Sequence, residues 1–228
     1  MMRFSPARPV KFLLVPAVLA LLSLSAPTAW ADTITISLDT GNSAISGFTG
    51  PYGEVTVDLT TATTADITFT ALDNGTNQFL FGAVGAVGVN VNGTATTSNI
   101  GGTQAFSGGS LSDGGAANLD GFGGFSNTID AFDGYTHAWT EITFTLTLTS
   151  GSWASASDVL TGNQFVAAHI FVCGSIPCVK DDGALATGFA GGNSTETPNP
   201  DVPPVPEPGT LLLLGTGLVA VARRFRRA

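Results

Sequence analysis

Residues 32–190 are predicted to fold as an all-β domain, an antiparallel β-sandwich of the jelly-roll-like kind. Polar and apolar residues alternate in several short segments, and the apolar ones are mostly β-branched or aromatic, as a half-buried pleated strand requires. Asn-Gly and Asp-Gly pairs lie between these segments and supply the positive φ angles of tight turns. Helix signals are scarce in the same range.

The clearest predicted strand covers residues 142–149. Its alternation places Ile142, Phe144, Leu146 and Leu148 on one face and Thr143, Thr145, Thr147 and Thr149 on the other. Further strands are predicted at 33–38, 54–60 and 66–70, with 78–91 and 164–172 as additional candidates. The turn pairs are Asn74-Gly75, Asn92-Gly93, Asp133-Gly134 and Asp182-Gly183. The segment 100–125 is rich in Gly, Ser and Asn, and we expect a long loop or a set of short irregular strands there.

The first 31 residues have the pattern of a secretory signal peptide. Basic residues precede an apolar run at 12–24, and Ala29 and Ala31 are the small residues of an A-x-A cleavage site. As a helix this run measures about 20 Å, which is short for a hydrocarbon core of about 30 Å. We therefore expect signal peptidase to remove this N-terminal signal helix by cleavage after Ala31. A segment that is retained as a membrane anchor is the alternative.

The C-terminus has three parts in a fixed order. Val205, Pro206, Glu207 and Pro208 form an extended, accessible segment, because proline fixes φ and lacks an amide donor. An apolar stretch at 209–222 follows, predicted as a short hydrophobic helix of about 21 Å. The chain then ends in an arginine cluster, which the positive-inside rule places in the cytoplasm. The cluster consists of Arg223, Arg224, Arg226 and Arg227.

This order resembles the PEP-CTERM sorting domain, over residues 205–228. The resemblance implies recognition by an exosortase, a membrane thiol peptidase that cuts at or near the Pro-Glu-Pro sequence. It also implies a bacterium that makes extracellular polysaccharide, often in a biofilm. An ordinary single-pass anchor is the alternative. The resemblance assigns no family to the body of the chain.

Four segments follow from these patterns: a signal peptide at 1–31, the β-sandwich domain at 32–190, a Gly/Pro-rich linker at 191–204 and the sorting and anchor segment at 205–228. Charge is distributed unevenly among them. Lys180 is the one basic residue between the two termini, against all seventeen carboxylates, so that this part has a formal charge of −16. Such an acidic body disfavours nucleic acid and anionic lipid as partners. It suits an outward-facing protein, or one that meets cations.

Cys173 and Cys178 are the two cysteines of the chain. In an exported protein this spacing predicts a local disulfide, which closes a small loop and contributes roughly 2 kcal/mol. A zinc site is the alternative, and it needs His137 and His169, the two histidines, as further ligands.

Catalytic signals are weak, so we predict that the protein is not an enzyme and has no cofactor. No Gly-x-Ser-x-Gly sequence is present, no carboxylate pair stands out, and structural or solvent-exposed roles explain both histidines. The metal question stays open, since acidic, glycine-containing turns offer the oxygen ligands that Ca²⁺ prefers. The candidate positions are Asp73-Asn74-Gly75, Asp130 with Asp133, and Asp181-Asp182-Gly183.

Two surface features depend on the fold. The threonine row of the 142–149 strand can face ice or a glycan only if neighbouring strands carry matching rows; otherwise it is a solvated sheet face. Four aromatic residues either stack on sugars or pack in the core. These are Tyr52, Tyr135, Trp139 and Trp153.

The function expected from the sequence is that of an exported, non-catalytic protein of the bacterial cell surface or extracellular matrix. It is anchored in the membrane through its tail before processing. Signal peptidase, exosortase and extracellular polysaccharide are the expected partners. A glycan- or Ca²⁺-binding module is the alternative, followed by an extracellular hydrolase.

Overall fold

The prediction of an all-β sandwich is confirmed by a computed structural model that describes residues 32–132, 134–193 and 195–196. Helical structure in these ranges is limited to 3-10 turns at Tyr135–His137, Ala156–Asp158 and Lys180–Asp182. The strands are β1 (Asp32–Leu38), β2 (Thr40–Gly41), β3 (Gly53–Thr61), β4 (Thr64–Ala71), β5 (Phe79–Phe81), β6 (Val87–Val89), β7 (Ala95–Gln104), β8 (Leu111–Leu119), β9 (Gly123–Ala131), β10 (Trp139–Leu148), β11 (Val166–Val172), β12 (Ala186–Gly192) and β13 (Thr195–Glu196).

The strands form two packed layers. The front layer has the order β13-β1-β3-β4-β10-β7, and all of its pairs are antiparallel. The back layer has the order β2-β12-β11, then β5 and β6 end to end, then β9 and β8. The pair Trp139–Phe81 joins the ladders of the two layers.

Alternation along each strand explains why the layers pack. On β4, Ala65, Ile67 and Phe69 are fully buried, whereas Asp66 and Thr68 lie on the opposite face. The inward side chains of both layers form one continuous apolar cluster. Its removal from water, at about 25 cal/mol per Å², is the main force that holds the layers together.

The expectation of a loop or short irregular strands at 100–125 is wrong. The chain forms three long strands there, β7, β8 and β9, of 10, 9 and 9 residues. Two of them have a free edge, and their ladders contain register shifts. Positive φ angles occur at two of these shifts, at Asn99 and Gly115, and close to a third, at Gly102. Such irregularities interrupt the period-2 pattern from which strands are predicted.

The other predicted strands are found, with one change. Segments 33–38, 54–60, 66–70 and 164–172 correspond to β1, β3, β4 and β11, and 142–149 corresponds to β10, which begins at Trp139. The candidate at 78–91 is divided into β5 and β6, because Ala83 and Gly85 take positive φ angles of 63° and 66° between them. The glycines of the four predicted turn pairs all have positive φ.

The last strands extend beyond residue 190, the predicted end of the domain. β12 ends at Gly192, and β13 pairs with β1 through Thr195 and Glu196. The predicted terminal helices and the rest of the linker lie outside the described residues. Within the described part of the chain, no helix is long and apolar enough to cross a membrane.

Candidate functional site

The outer face of the front layer is lined with threonine, serine and carboxylate side chains. We call it the hydroxyl face. It is defined by Thr33, Thr35, Ser37, Glu54, Thr56, Asp58, Asp66, Thr68, Thr70, Thr96, Ser98, Thr103, Glu141, Thr143, Thr145 and Thr147. All of these side chains are half-buried or exposed.

A row of threonines crosses the middle of this face, perpendicular to the strands. Thr35, Thr56, Thr68 and Thr143 are direct neighbours in the registers of β1, β3, β4 and β10. Adjacent strands are about 4.8 Å apart, so neighbouring threonines of the row are separated by about the same distance. Threonines on the strands next to β10 were the condition for the threonines of β10 to face a glycan, and β4, β3 and β1 provide them. Only the β10 part of this arrangement was visible in the sequence.

Carboxylates occupy the rows on either side of the threonine row. Asp58 and Asp66 are directly opposite each other on β3 and β4. On the other side of the threonine row, two residues from it along each strand, Glu54 and Glu141 both pair with Thr70. Each acidic row is about 7 Å from the threonine row, since two residues of a strand span that distance.

Threonine hydroxyls donate hydrogen bonds to three of these carboxylates across the strands. In this arrangement the carboxylates are held in place by hydroxyls rather than by cationic groups. The pairs are Thr145 to Asp66 at 2.6 Å, Thr33 to Asp58 at 3.2 Å and Thr103 to Glu141 at 3.2 Å.

Two of the candidate calcium ligands accept hydrogen bonds from the backbone. Asp73 Oδ1 accepts the amide hydrogen of Gly75 at 3.0 Å, and Asp130 Oδ1 accepts that of Gly85 at 2.7 Å. Asp181 and Asp182 belong to the Lys180–Asp182 turn, and Asp133 lies outside the described residues. Among the described residues, no group of three or more His, Cys, Asp or Glu side chains is arranged to hold a metal ion.

Three of the four aromatic candidates for sugar stacking lie in the core. Tyr52, Trp139 and Trp153 are buried in the cluster between the layers. Tyr135 is partly buried on the outer side of the back layer. Its ring contacts Phe106 and Phe171 at centroid distances of 5.3 and 5.8 Å.

The predicted disulfide joins Cys173 to Cys178, whose Cα atoms are 5.5 Å apart, and this excludes the zinc alternative. A cavity of about 230 Å³, which the sequence did not indicate, lies beside it. Gln78 Oε1, on its wall, accepts the amide hydrogen of Cys178 at 2.6 Å. Gln104, also on the wall, uses both ends of its amide on the 108–109 loop. The polar groups here thus stabilise the loops that form the cavity.

His169 has a structural environment. Its ring stacks between Phe189 and Phe171, at centroid distances of 4.4 and 5.3 Å. Its Nε2 is 2.7 Å from the hydroxyl of Thr187, while its Nδ1 is buried without a hydrogen-bond partner of good geometry. Burial lowers the pKa of His169 below its ordinary value, and the backbone of Val84 offsets only part of this.

The free energy of unfolding is expected to fall as the pH decreases through the ordinary histidine pKa of about 6.5. The reason is that the unfolded chain binds a proton at His169 in this range, whereas the folded protein, with its lowered pKa, does not. Urea unfolding at about pH 7.5 and about pH 5.5 measures this difference. His169→Gln should reduce it, with His137→Gln as the matched control. A pH dependence that survives His169→Gln unchanged contradicts the prediction.

The described domain is thus a two-layer β-sandwich with an open face of hydroxyl and carboxylate groups. Residues 204–227 match the PEP-CTERM protein-sorting motif, a match that includes Val205 to Pro208 and the four arginines. The chain therefore carries the signal of an exported, cell-surface protein that is processed by exosortase and associates with the membrane through its tail. No curated protein and no solved structure matches the chain. These tail residues, and Ala29 and Ala31 of the predicted signal peptide, lie outside the described residues.

Proposed function

We propose that the mature protein is a non-catalytic component of the extracellular polysaccharide matrix and that it binds polysaccharide through the hydroxyl face. The observation that carries the proposal is the register of β1, β3, β4 and β10. It converts one threonine strand into a two-dimensional array of hydrogen-bonding groups. The sorting motif supplies the location, because it delivers the domain to the outside of the cell.

The hydroxyl face suits a long, hydrated polymer better than a small molecule. β-Branched threonines are restricted at χ1, so little side-chain entropy is lost when a ligand binds. Interfaces between polar groups retain bridging water at little cost. Each contact is weak, but a polymer that meets several rows gains affinity through its linked contacts.

The same geometry supports a binding role over hydrolysis. Asp66 is exposed and Asp58 is half-exposed, on an open sheet face rather than in a cleft. Glycoside hydrolysis requires a carboxylic acid with a raised pKa, which a water-excluding environment provides. A binding surface has no such requirement.

The test is retention of the exported protein in the matrix. Wild type should remain with the matrix polysaccharide, with an intact mass that extends from Asp32 to near Pro206. The combined variant Thr56→Val, Thr68→Val, Thr143→Val should be released into the medium with the same mass. It removes the hydroxyls of the central row while it preserves side-chain volume and strand propensity.

The matched control is Thr49→Val, Thr76→Val, Thr161→Val, which changes three exposed threonines outside the front layer. It should be retained like wild type. Equal release of both variants, or retention of both, contradicts the proposed role of the hydroxyl face. A mass that still includes the arginine cluster shows instead that the tail is an ordinary anchor.

A further inference from the structure

We infer that the polysaccharide held by the hydroxyl face carries free amino groups, protonated at neutral pH. This inference rests on the proposed function and specifies the class of its ligand. Two properties of the face lead to it: its charge and the direction of its hydrogen bonds.

The hydroxyl face is negatively charged without compensation. Glu54, Asp58, Asp66 and Glu141 all point outward, and the face includes no lysine or arginine. In the part of the chain that the structure describes, Lys180 is the one residue of either type, and it lies in a 3-10 turn after the disulfide loop. A cationic ligand is therefore favoured, and an anionic polysaccharide is repelled.

The Asp58–Asp66 pair adds to this argument. Like charges directly opposite each other across a ladder destabilise a sheet. Thr33 and Thr145 each donate to one member of the pair, which orients the carboxylates but leaves their charge in place. The repulsion between the two carboxylates is a cost to the sheet that a bound cationic group would remove.

The hydrogen bonds leave the face rich in acceptors. A threonine hydroxyl has one hydrogen, and a carboxylate has none. Several hydroxyls direct that hydrogen back into the sheet, and only their lone pairs then remain for a ligand. These donors are Thr33, Thr103 and Thr145, which donate to carboxylates, and Thr96, which donates to a backbone carbonyl oxygen.

A protonated amine complements such a surface in both respects. An ammonium group carries a positive charge, offers three donors and has no acceptor. A sugar hydroxyl offers one donor and no charge, and an N-acetyl group replaces the ammonium with a neutral amide. The two acidic rows, about 14 Å apart across the threonine row, allow one polymer to engage both with separate amino groups.

The experiment compares two soluble β-1,4-linked oligomers of equal length, one of glucosamine and one of N-acetylglucosamine. Each is titrated into the exported, processed protein by calorimetry. The glucosamine oligomer should bind roughly tenfold or more tightly, because several exposed charge pairs add their small contributions. The preference should decrease at high salt, which screens exposed charges.

The decisive variant is Glu54→Gln, Asp58→Asn, Asp66→Asn, Glu141→Gln. Its matched control, Asp113→Asn, Asp120→Asn, Asp181→Asn, Asp182→Asn, neutralises four exposed carboxylates outside the front layer. Both variants change the net charge equally, so non-specific attraction between an acidic protein and a polycation changes equally. The preference for glucosamine should disappear in the first variant and persist in the control. Cooperative urea unfolding of both variants, with the same denaturant slope as wild type, shows that the sandwich is intact.

The other outcomes separate this inference from the proposed function. Equal binding of both oligomers, lost in Thr56→Val, Thr68→Val, Thr143→Val, overturns the amino-group requirement and leaves polysaccharide binding standing. Binding of neither oligomer overturns the amino-group inference, and the matrix assay then decides the proposed function. Polylysine that binds as tightly as the glucosamine oligomer, with the same dependence on the four carboxylates, identifies a cationic peptide partner and overturns the inference. Equal loss in the control variant shows non-specific attraction and overturns it as well.

Discussion

Phe69→Ala is expected to lower the free energy of unfolding by about 3–5 kcal/mol, the usual cost of a large aromatic truncation in a core. Phe69 is fully buried on β4, and its ring contacts Phe81 of the back layer and Phe144 of β10, with centroids 6.1 and 6.3 Å away. The substitution removes the apolar area of the ring and leaves a cavity at the contact between the layers. Urea unfolding of the exported protein measures the loss.

The control for this variant is Thr68→Ala, at the preceding position on the opposite face of the same strand. Its effect on unfolding should remain within about 1 kcal/mol, the span of strand propensities at exposed sheet positions. Thr68 belongs to the hydroxyl face. The variant therefore removes a proposed ligand contact while the core remains intact, so that an effect on polysaccharide binding can be separated from an effect on stability. If Thr68→Ala destabilises the protein as much as Phe69→Ala does, the assignment of inner and outer faces is wrong.

The strands that were predictable are those with one buried and one solvated face. Alternation in β1, β3, β4 and β10 is nearly strict because these strands lie in the front layer, which has the core on one side and water on the other. β11 was found for a different reason. Six of its seven residues are buried, and its sequence is an apolar run that only His169 interrupts.

The strands that were missed have few apolar residues. β7 contains Ile100 as its one large apolar residue, and β12 contains Phe189 in the same way. Both are held by ladder hydrogen bonds to better-packed neighbours, β10 and β11. Such strands form because of their tertiary context, which a local sequence pattern does not encode.

The hydroxyl face shows the same limit. The sequence displays the threonines of β10 as a row along one strand, but the row that matters runs across strands. It depends on the pairs Thr143–Thr68, Thr68–Thr56 and Thr56–Thr35. The pairing of the strands in the folded protein determines this register. The sorting tail, by contrast, is a linear signal that an enzyme reads in extended form, so the sequence alone sufficed to recognise it.

Removal of the disulfide by Cys173→Ala, Cys178→Ala should lower the free energy of unfolding by about 2 kcal/mol, because the closed loop is short. Only five positions separate the two cysteines. Hydrogen bonds hold the loop independently of the disulfide, since Asn77 Nδ2 donates to the Cys173 carbonyl at 2.8 Å and Gln78 accepts from the Cys178 amide. The variant is therefore expected to fold, with reduced stability.

A reducing agent provides the matched comparison for the disulfide. It should lower the unfolding midpoint of wild type towards that of the variant, and it should leave the variant unchanged. Export matters here, because a structural disulfide forms and persists outside the reducing cytoplasm. Exported protein that contains two free thiols, or that responds to the reductant no more than the variant does, contradicts a stabilising disulfide. A variant that loses far more than 2 kcal/mol indicates that the sulfur atoms stabilise by packing, since Cys173 is almost fully buried beside Phe171 and Tyr135.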